Sequence, residues 1–493
     1  MIDLTLSSEQ DLLRKTARDF AEKEIRPVAD EIDRMDRAKE MPWDKVRPVY
    51  QKAARLGFTS LLIPEEYGGQ GGTCIDNVLL QEELAAVDMG IAASYFNVTI
   101  TGAVMISMGG TEEQKRAWLG EISRNDTAML ASAGSEADQA GSDSLCPYPD
   151  PKMGMRTFAR RDGDGFVING AKSAFITNAG AASHYFVMAR TDLDGPPMMS
   201  TSVFYVPATT PGLSVGKLTE LIGWKSVQNA EVYLDDVRVP ASAELGGGGA
   251  GLGLFLFKAL PFIGVGFAAC HVGLARAAYE HALEYAQQRI SWGVPIIKHQ
   301  AVAGMLADMW VDLQAARLIT WDAADAADRG DFSAMVKSPA AKTFAVDTAI
   351  RNAGRAVKTL GSYGITREYQ AGKLLCDAWI GYPCDGTGQM LRLHMMNFLV
   401  PQPDGPPGMP GMEMGGMPPG MPPFGPDGPP GMPPFGPGGP GGPPVMPPFG
   451  PGSPGAMAPG MAPGMPGMPP SGMMPPADLG FPGAAPPAPA LER

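Results

Sequence analysis

Between Gly381 and Gln389 the chain reads GYPCDGTGQ, with one carboxylate, Asp385, between Cys384 and the pair Gly386–Thr387. Pro383 and Gly386 mark a turn, and an aspartate in such a place is ordinarily a turn former. A carboxylate held at a fixed point on a loop can also act as a general base. The nine residues alone leave both readings open. Few other residues invite chemistry. The five cysteines (Cys74, Cys146, Cys270, Cys376, Cys384) are scattered and odd in number. None forms a Cys-x-x-Cys, which argues against a zinc site or disulfide framework and suits a reducing, cytoplasmic setting. The five histidines do not pair at ligand spacing. Glycines 246–249 are not followed by Gly-Lys-Ser/Thr, so they are not a phosphate loop.

The elements that would hold Asp385 follow from composition and periodicity. The chain has 493 residues and a net charge of -13, from 39 basic and 52 acidic side chains. Phosphate binding leans on an excess of Lys and Arg, so nucleic acid is not an expected partner. The start, MIDLTLSSEQDLLRK, has no basic n-region or apolar core and is not expected to be a signal peptide. Lys258 interrupts the apolar stretch Leu245–Cys270, which reads as a buried helix rather than a membrane span.

Residues 1–128 read as helical, with Ser8 as a cap for a helix carrying Leu13, Ala17, Phe20 and Ile25 at helical spacing. The turn-rich PEEYGGQGG precedes a further helix at NVLLQEELAAV. Over residues 129–245 the runs GFVINGAKSAFITN, SHYFVMART, TSVFYVP and AEVYLDDVRVP are β-branched and aromatic, separated by turn residues. They predict an antiparallel sheet or barrel. No Gly-x-Gly-x-x-Gly follows a strand there, so a doubly wound dinucleotide fold is unsupported. Helices return over 246–399, where Val302, Leu306, Met309, Leu313 and Ala316 form one apolar stripe. From 400 to 493 the chain is rich in Pro, Gly and Met, and MPPFGP occurs three times, at Met421, Met432 and Met446. That composition predicts a disordered tail.

This order of helices, strands and helices, with several short motifs, resembles the acyl-CoA dehydrogenase family over residues 1–399. SEADQAGSD (Ser135–Asp143) is similar to the family's Thr/Ser-Glu-x-x-Ala-Gly-Ser-Asp loop. GAKSAFITN (Gly170–Asn178) is similar to Gly-x-Lys-x-Trp-Ile-Thr-Asn, and IGWKSVQNAEVYLDDVRVP (Ile222–Pro240) to the closing β-segment. QRISWGVPIIKHQ (Gln288–Gln300) matches Arg-x-x-Phe-Gly…Gln, and LGSYGITREY (Leu360–Tyr369) matches Gly-Gly-x-Gly. CDGTGQ stands where the family has Tyr-Glu-Gly-Thr, and Asp377 precedes Asp385 by the interval that separates the family's Arg-Asp from its glutamate.

The resemblance implies an α+β chain: an N-terminal helical domain, a middle β domain, a C-terminal four-helix bundle and the tail. It implies FAD as cofactor and an acyl-CoA thioester oxidised to a 2-enoyl-CoA. Asp385 would take the α-proton, and the β-hydrogen would leave as a hydride to the flavin, which carries the redox chemistry. By carry-over, Ser135, Phe175 and Thr177 would line the flavin. Arg289, Ser291 and Trp292 would contact the FAD pyrophosphate and adenine side of a neighbouring subunit. Gln300, Gly361 and Gly364 would complete that site, and Thr387 and Gln389 would hold the adenine-diphosphate end. Ser142 and Asp143 would contact the CoA arm. A homotetramer built as a dimer of dimers and an electron-transferring flavoprotein as electron acceptor are further expectations, as are a role in fatty-acid or ring-acid catabolism and a cytoplasmic location.

Four features depart from the family pattern. The base is one methylene shorter than glutamate. The Ser135–Asp143 loop and the Lys172–Phe175 strand are each one residue longer. LCPYPDPKMGM (Leu145–Met155) reads as an insertion. The family's Leu-Asp-x-x-Arg reads Leu260-Pro261-Phe262-Ile263-Gly264, so the arginine usual beside the base is missing and the Asp385 pKa should lie above that of a paired carboxylate. No acid falls between Glu244 and Glu280, which closes the variant placement of the base on that helix. The alternatives are a nitroalkane-oxidase-like flavoenzyme, which also carries an aspartate at the catalytic position, and a flavoprotein-derived scaffold acting through its tail.

Overall fold

The computed structural model describes residues 5–35, 40–138, 150–197, 200–246 and 259–400. The predicted tail and the CoA-contact pair Ser142–Asp143 lie outside them. The first helix, Ser8–Phe20, begins one residue earlier than expected. Ser7, not Ser8, is the cap: its Oγ accepts from the Gln10 N–H while the Gln10 side chain accepts from the Ser7 N–H, both at 3.1 Å. Such a reciprocal pair satisfies two N-terminal donors at once. Ala17, Phe20 and Ile25 are buried as the periodicity requires. The PEEYGGQGG break is a short 3-10 turn with Gly68 and Gly71 at positive φ, followed by the helix Cys74–Ala85.

Two helices, Met89–Gly109 and Leu260–Gln288, are long and apolar enough to cross a membrane. Their most apolar windows are 94% and 89% buried inside the protein, so they are core helices. The C-terminal part is built on three long helices, Leu260–Gln288, Gln300–Asp328 and Ala334–Leu360, with shorter helices Ala371–Ile380 and Gly388–Leu399. Leu306, Met309, Leu313 and Ala316 face the core together.

The middle part is a seven-stranded sheet: β1 (Leu130–Ala133), β2 (Phe158–Asp162), β3 (Gly165–Thr177), β4 (His184–Arg190), β5 (Thr201–Pro207), β6 (Leu213–Leu218) and β7 (Asn229–Pro240). The order is β1-β4-β2-β3-β7-β6, with β5 on β4. The sheet is mostly antiparallel, but β1 and β2 both run parallel to β4. Parallel pairing requires a long crossover, and the chain between Ala133 and His184 supplies it. In β3 the register shifts between Lys172 and Ile176. Four steps along β3 there oppose two along β7, so the strand bulges, and Phe175 lies exposed within the bulge.

A buried ionic knot ties the three parts together. Lys373 reaches Asp88 at 2.9 Å and Asp377 at 2.6 Å. Asp377 also accepts from the Trp224 N–H at 2.6 Å, while the Trp224 indole donates to the Asp377 carbonyl at 2.9 Å. Asp88 accepts from the Ser226 hydroxyl at 2.7 Å. Trp224 adopts a left-handed φ of 48° to make these bonds. A side chain at Gly223 would come within 2.6 Å of the Cys376 backbone, so the β domain docks by direct backbone approach.

Candidate active site

The Asp385 loop follows directly from two helix ends. The Ala371–Ile380 helix stops at Gly381, and Thr387 caps the Gly388–Leu399 helix by accepting from the Met390 N–H at 3.3 Å. Between them Asp385 and Gly386 both take positive φ, 47° and 88°. For a non-glycine residue this conformation is costly, and it persists where the surroundings over-determine it. Here one buried side chain binds the loop at three points. Lys342, buried in the middle of the Ala334–Leu360 helix, donates to the carbonyls of Cys384, Asp385 and Gly386, the Asp385 bond being 3.1 Å. Its ammonium also lies 5.2 Å from the centre of the Phe267 ring.

The electrostatics of the loop follow from this arrangement. Asp385 is exposed as a residue, but the protein around its carboxyl strips enough hydration to raise its pKa, with the Lys342 charge opposing the shift. Burial pulls the Lys342 ammonium down to about 8, against the pull of Asp385 and Cys384. Burial, then the neighbouring Asp385, pushes the Cys384 thiol up to about 12, so it is not a thiolate. His271, fully buried beneath the loop, is driven by burial down to about 3 and is neutral. Its Nδ1 bonds the Phe267 carbonyl at 2.8 Å, and its Nε2 faces Gly381, where a Cβ would sit 1.8 Å away. At Gly264, where an arginine was missed in the sequence, a Cβ would meet the Ser338 hydroxyl at 2.3 Å. That hydroxyl donates to the Pro261 carbonyl at 2.7 Å.

The other expected site residues fall into separate groups. Ser135 follows β1, and its carbonyl accepts from the Ser173 N–H at 2.9 Å. That bond sets it beside the β3 bulge that exposes Phe175, with Thr177 at the end of the strand. The neighbouring Glu136 and Lys172 form a buried pair at 3.2 Å. Burial opposes ionisation of Glu136, but Lys172 and Thr157 hold it below the usual carboxylate range, and Lys172 is drawn down by burial to about 8. The insertion is pinned where it is described: the fully buried Arg190 donates to the Pro151 carbonyl at 2.8 Å.

Arg289 ends the Leu260–Gln288 helix and leads into a hairpin of β8 (Ile290–Ser291) and β9 (Val294–Pro295). Trp292 and Gly293 form its two-residue turn, both at positive φ, and Trp292 is 94% exposed. His299 bonds the Ser291 carbonyl at 3.2 Å, which places Gln300, the first residue of the next helix, close behind. The 361–365 turn packs nearby through Tyr363 and Tyr369 against Tyr285. Gly361 has φ 61°, and a Cβ at Gly364 would lie 2.5 Å from the Val357 carbonyl. Thr387 and Gln389 share the loop and helix of Asp385. No hydrogen bond or ion pair among the described residues joins the strand, hairpin and loop groups to one another.

These surfaces fit a flavin dinucleotide chemically. Phe175 and Trp292 leave aromatic faces open for stacking. Arg289 is exposed and makes no ion pair among the described residues, leaving its planar donors for phosphate. Lys342, His271, Lys373 and the Glu136–Lys172 pair had no reading in the sequence. Signals existed for two of them: Glu136 and Lys172 stand at the fixed Glu and Lys of their motifs, and Lys342 is one cation in the apolar run AAKTFA.

Comparison with known proteins agrees with this geometry. The acyl-CoA dehydrogenase N-terminal, middle and C-terminal domain families match residues 7–126, 131–237 and 258–400. An acyl-CoA dehydrogenase of Bacillus subtilis (strain 168) is 32% identical over 395 residues, covering 80% of this chain and 99% of that protein. Butyryl-CoA dehydrogenase from Megasphaera elsdenii superimposes with a TM-score of 0.72 at 30% identity, over 81% of this chain and 100% of that one. A chain from a structural study of the electron transferring flavoprotein of Acidaminococcus fermentans gives a TM-score of 0.73 at 31% identity, over 81% and 100%. Matches to all three domains in order, over nearly the full length of these relatives, make this chain a member of the acyl-CoA dehydrogenase family, whose enzymes are FAD-dependent oxidoreductases.

Proposed function

We propose that this protein dehydrogenates an acyl-CoA thioester between Cα and Cβ to give a 2-enoyl-CoA, with Asp385 as the base that removes the α-proton. The observation that carries this reading is the Asp385 loop: a carboxylate at the family's glutamate position, held at φ 47° by a buried cation and lifted in pKa by its surroundings. Bound FAD would supply the acceptor for the β-hydride, so the Cα–H electrons form the new double bond and the proton stays on Asp385. Ser135, Phe175 and Thr177 would line the flavin ring. Arg289, Ser291, Trp292, Gln300, Gly361, Gly364, Thr387 and Gln389 would hold the dinucleotide. Ser142 and Asp143, outside the described residues, would meet the CoA arm.

The neighbours bear on substrate and partners. Butyryl-CoA is named for one of them and an electron transferring flavoprotein for another. We take a short or ring-bearing acyl-CoA as substrate and such a flavoprotein as electron acceptor. A tetramer is proposed because Trp292, Ile290, Ile365 and Val311 leave more than half of their surface exposed, and large apolar side chains so exposed mark interaction surfaces. The domain limits 1–128, 129–245, 246–399 and 400–493 and a cytoplasmic location belong to the same proposal.

Asp385→Asn tests the assignment. The variant should keep FAD and bind acyl-CoA but lose flavin reduction by at least about 10³-fold, as expected when a general base is removed. Anaerobic bleaching of the flavin by a panel of acyl-CoA esters measures it; near-normal bleaching in the variant would sink the assignment. Peroxide formed with nitroethane as substrate would instead favour the nitroalkane reading.

A further inference from the structure

We propose that Lys342 is the positioning residue of the base: by binding the Cys384, Asp385 and Gly386 carbonyls together it fixes the loop, and it brings a positive charge to the backbone that carries the Asp385 carboxylate. The inference rests on the reading of Asp385 as base. It is carried by geometry. An ammonium has three N–H donors and no acceptor, and all three find consecutive carbonyls of one loop. Carbonyls of adjacent residues in an extended chain point alternately to opposite sides and do not converge on a point. They converge here because Asp385 and Gly386 are both left-handed. The lysine and the strained backbone therefore require each other.

The charges around Lys342 can be named element by element. From the loop come Asp385 and the neutral Cys384 thiol. From the Leu260–Gln288 helix come the Phe267 ring and the neutral His271 imidazole. That helix offers no arginine at Gly264. Among the described residues, Lys342 is the cation that acts on Asp385. A base displaced by an ångström can lose about 10²-fold in rate, and a base that loses a nearby cation is protonated at higher pH. Lys342 itself, drawn down to about 8 by burial, should surrender its proton in mildly alkaline solution.

Lys342→Met in the FAD-bound enzyme tests both roles. Hydrogen exchange read by mass spectrometry should speed up by at least about tenfold in peptides spanning 381–390, with peptides spanning 165–177 unchanged, because loss of the anchor opens the loop locally. Stopped-flow flavin reduction at saturating acyl-CoA should slow by at least about tenfold, substrate Kd should change by less than about threefold, and the acid limb of the rate profile should move to higher pH. Wild-type exchange in 381–390 together with an unmoved acid limb would overturn the proposal. If no acyl-CoA reduces the wild-type flavin, the reading of function fails, and the exchange comparison still decides whether Lys342 anchors the loop. If Lys342→Met does not accumulate folded, Lys342→Gln serves. Its amide keeps two donors without the charge, so the acid limb should move up with little change in exchange, and an unmoved limb would overturn the electrostatic role.

Discussion

Asp is one methylene shorter than Glu, which withdraws the carboxylate by roughly 1.5 Å along the side chain. Two things can restore reach: an acyl group bulky at Cα and Cβ, or a loop that sits further forward, with Pro383 at its tip. Asp385→Glu separates them. With a bulky substrate, kcat/KM for a cyclohexane-type carboxyl-CoA should fall while butyryl-CoA holds or improves, since a methylene in a packed pocket is worth about 1–3 kcal/mol of discrimination. With an advanced loop both should fall in parallel, which would defeat the bulky-substrate idea and leave Asp385 as base. Asp385 was legible because turn residues and a family-like interval surround it. Lys342 was not, because its partners are backbone carbonyls, and every residue carries one. His271 was hidden for a related reason: its role is set by Gly381, a residue without a side chain.

At the scale of elements, the long strand was readable but its irregularity was not. Between Lys172 and Ile176 the register shifts by two residues against β7, more than the one extra residue counted in the sequence. The strands LASA, FARRD and LSVGKL were missed because each is short and carries little β-branched or aromatic signal. The spacing from Asp377 to Asp385 was noticed only as an interval. In the structure Asp377 docks the helix leading to Asp385 against Trp224 of the β domain. Lys373 neutralises both Asp377 and Asp88, each almost fully buried. Lys373→Met should therefore destabilise the fold by about 3–5 kcal/mol, because two buried carboxylates are left facing one another. Adding Asp88→Asn should recover a measurable part. Urea midpoints of the single and double variants check this, and a midpoint for Lys373→Met near wild type would show that the knot carries little stability.

Across the whole molecule, the succession of helices, strands and helices was evident from periodicity, but the parallel entry of β1 was not, since direction depends on a partner more than fifty residues away. Surfaces meant for other chains are also hard to read, because an apolar residue in sequence looks the same whether it faces a core or a neighbour. Arg289 stands at the root of the exposed Trp292 hairpin. Arg289→Ala should lower the FAD content of the purified protein and weaken its assembly together, if cofactor and subunit contacts share that face. Flavin absorbance and sedimentation measured on the same samples test it; loss of FAD with unchanged assembly would place the dinucleotide within one chain.

The glycine at 264 has a constructional meaning. Its missing side chain leaves room for the Ser338 hydroxyl to reach the Pro261 carbonyl, and a Cβ there would stand 2.3 Å from that hydroxyl. A side chain introduced at position 264 would have to displace the Ser338 hydroxyl. Gly381, backed against His271, is closed in the same way, whereas Pro383 and Asp385 remain open to solvent. The loop is therefore soft at its tip and closed behind: changes at Pro383 and Asp385 meet solvent, while a side chain added at Gly264 or Gly381 meets packed neighbours.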